Sequence, residues 1–126
     1  MTTPDKKPDV IVDFVFDRGV FYLVIANIGD APACDISVKF DREIWGLEGK
    51  KLISAMPLFT GVYFLPPQKK IATFVDTSAS YFRRQQPVNI KIRITFQDRD
   101  HNRYRSNIRH NLEIYRDIGF IKRQAD

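Results

Sequence analysis

From residue 88 to residue 97 the chain alternates without a break: Val88, Ile90, Ile92, Ile94 and Phe96 take turns with Asn89, Lys91, Arg93, Thr95 and Gln97. Side chains two apart share one face of a strand, so the run predicts a strand with one apolar and one polar face. Residues 98–102 (DRDHN) turn the chain, and residues 103–115 return it with Tyr104, Ile108, Leu112 and Ile114 inward. Pairing across that turn sets partners whose numbers sum to about 200. An earlier run, Val10, Val12, Phe14 and Phe16 with Asp13 and Asp17 opposite, reads as a half-buried strand. The tight turn Asp17-Arg18-Gly19 makes residues 20–27 the second arm of a hairpin. That arm is apolar on both faces, with Phe21, Leu23 and Ile25 against Tyr22, Val24 and Ala26. Such a strand is central and covered on both sides, or it pairs with another chain, and the central place is expected.

Residues 27–32 (NIGDAP) form a corner in which glycine and proline supply unusual backbone angles. Residues 33–41 alternate again, Cys34, Ile36, Val38 and Phe40 against Asp35, Ser37, Lys39 and Asp41, so Cys34 is expected as a buried core thiol. Gly46 and Gly49 break up residues 42–55, which read as an irregular crossover with one short strand or turn and Trp45 packed over the edge. The apolar stretch MPLFTGVYFLPP (56–67) bends at Gly61 and stops at Pro66-Pro67. Residues 71–75 form a short strand, and residues 76–78 have N-cap character ahead of one helical turn at 80–85. Turns every ten residues or so and about seven antiparallel strands predict an all-β, immunoglobulin-like β-sandwich over residues 10–116. Residues 1–9 are expected as a flexible lead-in and residues 117–126 as a C-terminal tail.

Composition changes this picture little. With 126 residues, 44% apolar and 28% charged, the chain is long and apolar enough for one hydrophobic core. No apolar run approaches the roughly 20 residues of a membrane-crossing helix. The N-terminus MTTPDKKPD lacks the apolar segment of a signal peptide, so the chain as written is expected in the cytoplasm. One cysteine excludes an intrachain disulfide and suits a reducing compartment.

Charge changes it more. Of the net charge of +5, residues 1–63 contribute −2 (7 Lys/Arg, 9 Asp/Glu) and residues 64–126 contribute +7 (13 and 6). On the last hairpin the pairing gathers Lys91, Arg93, Arg103, Arg105 and Arg109 on one outward face. Directly facing like charges repel by a few tenths to about 1 kcal/mol. Glu113, the acidic first half of the chain, or an anionic partner such as nucleic acid could offset this. A solvated face with intramolecular pairing is the plain alternative, and aromatics of the kind that stack on single strands are not interleaved in this run. Phe59 and Tyr63 are candidates for an apolar contact with another subunit if they point outward, with core packing as the competing reading.

Catalytic chemistry finds little footing. His101 lies in a turn, and His110 falls on the inward parity of its strand, where a hydrogen-bonded core or edge histidine is expected. A Cys34–His110 pair would lack a third, orienting group. Asp98-Arg99-Asp100-His101-Asn102 opens like a calcium loop, but Arg103 stands where glycine belongs and Arg109 where the bidentate glutamate belongs. A turn capped by its own Asp and Asn explains the same residues. No metal, cofactor or enzymatic activity is expected.

The stretch LVIANIGDAPACDISVKF resembles the hydrophobic–Asn–x–Gly–x–x–Pro-Ala–x–x–hydrophobic–x–Val signature of bacterial immunoglobulin-like domains of the CARDB-like (cell-adhesion-related) kind. LPPQKKIATF and ITFQDRDHNRY are similar to later pieces of such domains, with Pro67-Gln68 where Pro-Gly is usual. The resemblance implies a sandwich fold and a non-catalytic part in binding or assembly. The expectation is an interaction module for a protein partner or for itself; the alternative is an anion- or nucleic-acid-binding module using the basic face.

Overall fold

The computed structural model describes residues 6–116 and residue 118. In chain order its strands are β1 (Val10–Asp17), β2 (Val20–Asn27), β3 (Ala33–Phe40), β4 (Trp45–Gly46), β5 (Lys51–Leu52), β6 (Val62–Leu65), β7 (Lys70–Thr77), β8 (Asn89–Gln97) and β9 (Arg103–Asn111). Short helices α1 (Pro57–Thr60) and α2 (Ser78–Arg83) join them. Seven strands form two antiparallel sheets, ordered β1-β2-β7 and β6-β3-β8-β9, while β4 and β5 pair as a separate ribbon. The inward rows of both sheets merge into one core: Val12, Phe14, Leu23 and Ile25 from the first, Ile36, Val38, Ile92 and Ile94 from the second. Burying each such side chain favours folding by about 1.5–3 kcal/mol. The chain is therefore an all-β sandwich, and β2 is the central strand of its sheet.

Turn chemistry sets the hairpins. Arg18 (φ 50°) and Gly19 (φ 80°) are both left-handed, as a two-residue loop matched to strand twist requires. Across β8 and β9 the register runs from Asn89↔Asn111 to Gln97↔Arg103, so partners sum to 200. Asp98 holds the turn between them: its carboxylate accepts from the Asp100 and Asn102 backbone N–H groups at 2.9 Å and from the Asn102 amide at 2.8 Å. The Asn102 amide foremost keeps that carboxyl below its ordinary pKa.

At the corner, Asn27 is fully buried. Its Oδ1 accepts from Asp9 N–H (3.1 Å) and Gly29 N–H (3.0 Å), and its Nδ2 donates to the carbonyls of Ala31 (2.8 Å) and Leu65 (3.0 Å). The segment before β1 is part of this knot. Ile28 N–H donates to Asp9 O and Asp30 N–H to Lys7 O, and Pro8 is buried, so residues 7–9 are tied to the corner; residues 1–5 of the expected lead-in, and all of the expected tail 117–126 but residue 118, lie outside the described residues. Gly29 is required for closeness rather than for an unusual angle: a Cβ there would stand 2.3 Å from Lys7 O. Gln68 (φ 65°) takes a left-handed backbone that favours glycine, and its side-chain amide donates to Gly29 O at 2.9 Å.

A second polar clasp lies at the other end of β2. Asp76, opposite Phe21, is 2% exposed and accepts from the Arg84 guanidinium, from Ser80 Oγ (2.9 Å) and from the backbone N–H groups of Thr77 (2.8 Å) and Glu48 (3.2 Å). Arg84 also donates to Trp45 O at 2.9 Å, tying the crossover to β7 and α2. The expected helical turn is α2, whose N-cap Thr77 accepts from Ser80 N–H at 3.1 Å.

Two expectations are corrected, and of the two readings of Phe59 core packing holds. Cys34 is half-buried on the outward face: a bulge at Asp35 (φ 50°) shifts the register and leaves Ile36, Val38 and Phe40 inward without it. Ile114 is 59% exposed, because β9 ends at Asn111 and the turn of 3-10 helix at Leu112–Tyr115 sends Tyr115, not Ile114, against Phe16 and Phe21. Phe59 is fully buried, edge-on to Phe40 at 5.2 Å, because α1 turns it into the core. It is no surface contact.

Asn27→Ala strands two donors and two acceptors and is expected to cost about 2–4 kcal/mol in urea unfolding. A loss under 1 kcal/mol would show that water satisfies the corner equally well. For Asp76, burial alone would raise the carboxyl pKa, but Arg84, Ser80 and two backbone donors outweigh it and lower the net value. Its stabilisation is therefore complete at neutral pH and declines as acidification passes through the lowered folded value. Arg84→Ala should cost about 3 kcal/mol at pH 7, with a smaller difference from the parent protein near pH 2–3, measured by denaturation at each pH.

Candidate functional site

The outward face of the sheet β6-β3-β8-β9 collects charge because its registers align odd-numbered positions. Lys91 faces Arg109, Arg93 faces Asn107 and Lys39, Thr95 faces Arg105, and Gln97 faces Arg103. Each of these cations is exposed. The pairing thus brings together all five basic residues expected from the sequence and adds Lys39 from β3. Two pairs, Lys91–Arg109 and Lys39–Arg93, set like charge against like charge, an arrangement that opposes folding.

None of the six cations has an ion-pair partner within 4 Å among the described residues. Glu113, the acid that could have offset them, pairs instead with Arg116 at 2.7 Å. Hydrogen bonding by Arg116 lowers its pKa. Asp41 lies at one end of the face, where its Oδ1 accepts from Lys91 N–H at 2.9 Å. Asp35 lies at the other end, lining an open groove with Arg103 and Arg105. Two further depressions continue along the same face, between Lys39, Arg93 and Asn107 and between Asp41, Lys91 and Arg109. The result is one shallow, cation-lined track across three strands.

One aromatic ring borders the track. Phe64 pairs with Cys34, which faces Gln97, so β6 sets it at the edge of the cationic face, 47% exposed. The Arg99 guanidinium lies 5.8 Å from the Phe64 ring centre, within reach of a cation–π attraction. Tyr63, the residue before it in β6, is 83% exposed but has the opposite strand parity, so it belongs to the other side of that edge strand. Strand periodicity within β8 and β9 could not reveal Phe64, because it comes from a strand two places away in the sheet.

The remaining candidates have structural work. His110 Nε2 lies 2.8 Å from Val12 O, and its ring meets Phe14 edge-on at 5.3 Å, joining the two sheets. Cys34 is on the opposite face of the sheet from His110, so the two are not brought together. His101 is exposed in the turn. Among the described residues no group of three His, Cys, Asp or Glu side chains is placed to hold a metal ion, and no helix is long and apolar enough to cross a membrane.

The family described as "Domain of unknown function (DUF8453)" matches residues 1–116. No curated protein and no solved structure matches the chain.

Arg109→Glu turns one facing like-charge pair into an opposite-charge pair. Its unfolding free energy should rise by a few tenths to about 1 kcal/mol at low ionic strength, with the gain shrinking as salt is added. A loss of stability in the same titration would mean that Arg109 is compensated within the chain.

Proposed function

We propose a role for this chain, which belongs to the DUF8453 family, from its surface chemistry: a non-enzymatic, immunoglobulin-like interaction module that binds a polyanionic partner across the outer face of β3, β8 and β9. The observation that carries the reading is the set of six exposed cations without ion-pair partners among the described residues, two pairs of them held against mutual repulsion. An anionic ligand relieves that repulsion, so binding gains what folding forgoes. The strand order β1-β2-β7 opposite β6-β3-β8-β9 supports the immunoglobulin-like description, as does the resemblance of the corner motif to CARDB-like domains.

Contacts of this kind fall on charged groups spaced along a chain, such as phosphates or sulfates. Affinity is then dominated by counterion release and is blind to sequence. The open, shallow track suits an extended ligand better than a small molecule, which needs a concave site burying most of its surface. Phe64 at the border offers a face on which an unpaired base could stack, which favours single-stranded nucleic acid among polyanions.

Fluorescence anisotropy with a labelled oligothymidine, competed by heparin, tests the reading. Binding should be clear at low salt, with the logarithm of the association constant falling linearly against the logarithm of salt concentration by about 0.7 per phosphate engaged. Arg93→Glu combined with Arg105→Glu should weaken it by at least about tenfold and flatten the slope, whereas Lys51→Glu, on β5 away from this face, should leave it unchanged. No binding of either polyanion at low salt would overturn the proposal.

A further inference from the structure

The opposite surface of the sandwich has another character. The register of β1, β2 and β7 lays three rows across its outer face: Ile11, Ala26 and Lys70; Asp13, Val24 and Ala72; Val15, Tyr22 and Phe74. Seven of these nine side chains are apolar or aromatic. Val24 and Ala26, in the middle, are 8% exposed, while Val15 and Phe74 on the flanks stand at 37% and 39%. Tyr22 and Phe74 meet edge-on at 6.2 Å and extend the patch to the β7 edge. A contiguous apolar sheet face of this kind marks an interaction surface.

Its two charges indicate what covers it. Asp13 on β1 and Lys70 on β7 are of opposite sign, on opposite edge strands, and one row apart along the strands. We infer that this face is a two-fold interface between two copies of the chain, packed sheet on sheet about an axis running along β2. Such an axis lays β1 of one copy over β7 of the other and keeps the rows in step. Asp13 then lies one row from Lys70 of the second copy, within reach of the lysine arm, and the symmetry makes this pair twice. An axis across the strands would instead stack Asp13 on Asp13, a like-charge contact that a desolvated interface penalises. Between the pairs, Tyr22 and Val24 meet their own equivalents, and Val15 meets Phe74. This arrangement covers the second apolar face of β2 and turns the two cationic faces outward, away from each other. The inference is independent of the ligand on the cationic face.

Size-exclusion chromatography with light scattering on the full chain tests it. The mass should rise from 14.7 kDa toward twice that value with concentration. Val15→Lys with Phe74→Lys, both at exposed positions, should hold the protein at the monomer mass while far-UV circular dichroism keeps the β signature. Asp13→Lys and Lys70→Asp should each weaken association by about tenfold or more, and the double variant should recover most of it, because the cross-copy pair is rebuilt with its signs exchanged. A monomer at every concentration would overturn the inference, and so would association that survives Val15→Lys with Phe74→Lys. A double variant weaker than either single one would overturn the proposed axis.

Discussion

Two sheets of a sandwich can be joined only where a strand leaves one and enters the other, and at that crossing backbone groups lose their ladder partners inside the protein. Asn27 meets this constraint with a single side chain. A primary amide offers acceptor and donor sites side by side, and all four of its bonds are made: to the segment before β1, to two points of the corner, and to the end of β6. Its own N–H donates to Lys69 O, and its carbonyl accepts from Gln68. Aspartate would lack the donors, and leucine would satisfy nothing. The spacing of Gly29 follows from the same knot, since the chain of residues 7–9 passes where a Cβ would sit.

β2 is thus apolar between two polar clasps, Asn27 at one end and the Asp76–Arg84 cluster opposite Phe21 at the other. Hydrophobic burial along the strand is strong but non-directional, and it tolerates slippage. The clasps supply direction: each fixes which residues of the crossovers and edge strands meet the core, and hence the register of the outer faces. The outer rows of both sheets, on which any binding role depends, are consequences of how the ends are tied.

Alternation carried most of the architecture. Residues 88–97 and 103–111 gave strand, facing and register, because one face is buried and the turn between them is capped by Asp98, so a slip would expose five apolar side chains. The same rule failed at Cys34, where a bulge at Asp35 inserts one residue and reverses the parity of all that precedes it; a lone Asp in an alternating run gives no warning of this. It failed at Ile114 for a related reason. That residue sits in a single turn of 3-10 helix, where period two does not apply. The basic face was legible as a row on two strands. That its cations have no ion-pair partners among the described residues was not, since Glu113 is near in sequence but is held by Arg116, and Lys39 reaches the face only through the β3–β8 pairing.

That absence bears on what the face is for. Surface ion pairs contribute little to stability, so a chain under pressure only to fold has small reason to arrange them. It has still less reason to set Lys91 against Arg109 and Lys39 against Arg93, because neutral or acidic residues at any of these positions would relieve repulsion and leave the inward row untouched. The core does not need those cations, and the turn does not need them. A pattern that opposes the stability of the isolated domain, on a face whose geometry is otherwise regular, is what the proposed polyanionic partner would match from outside.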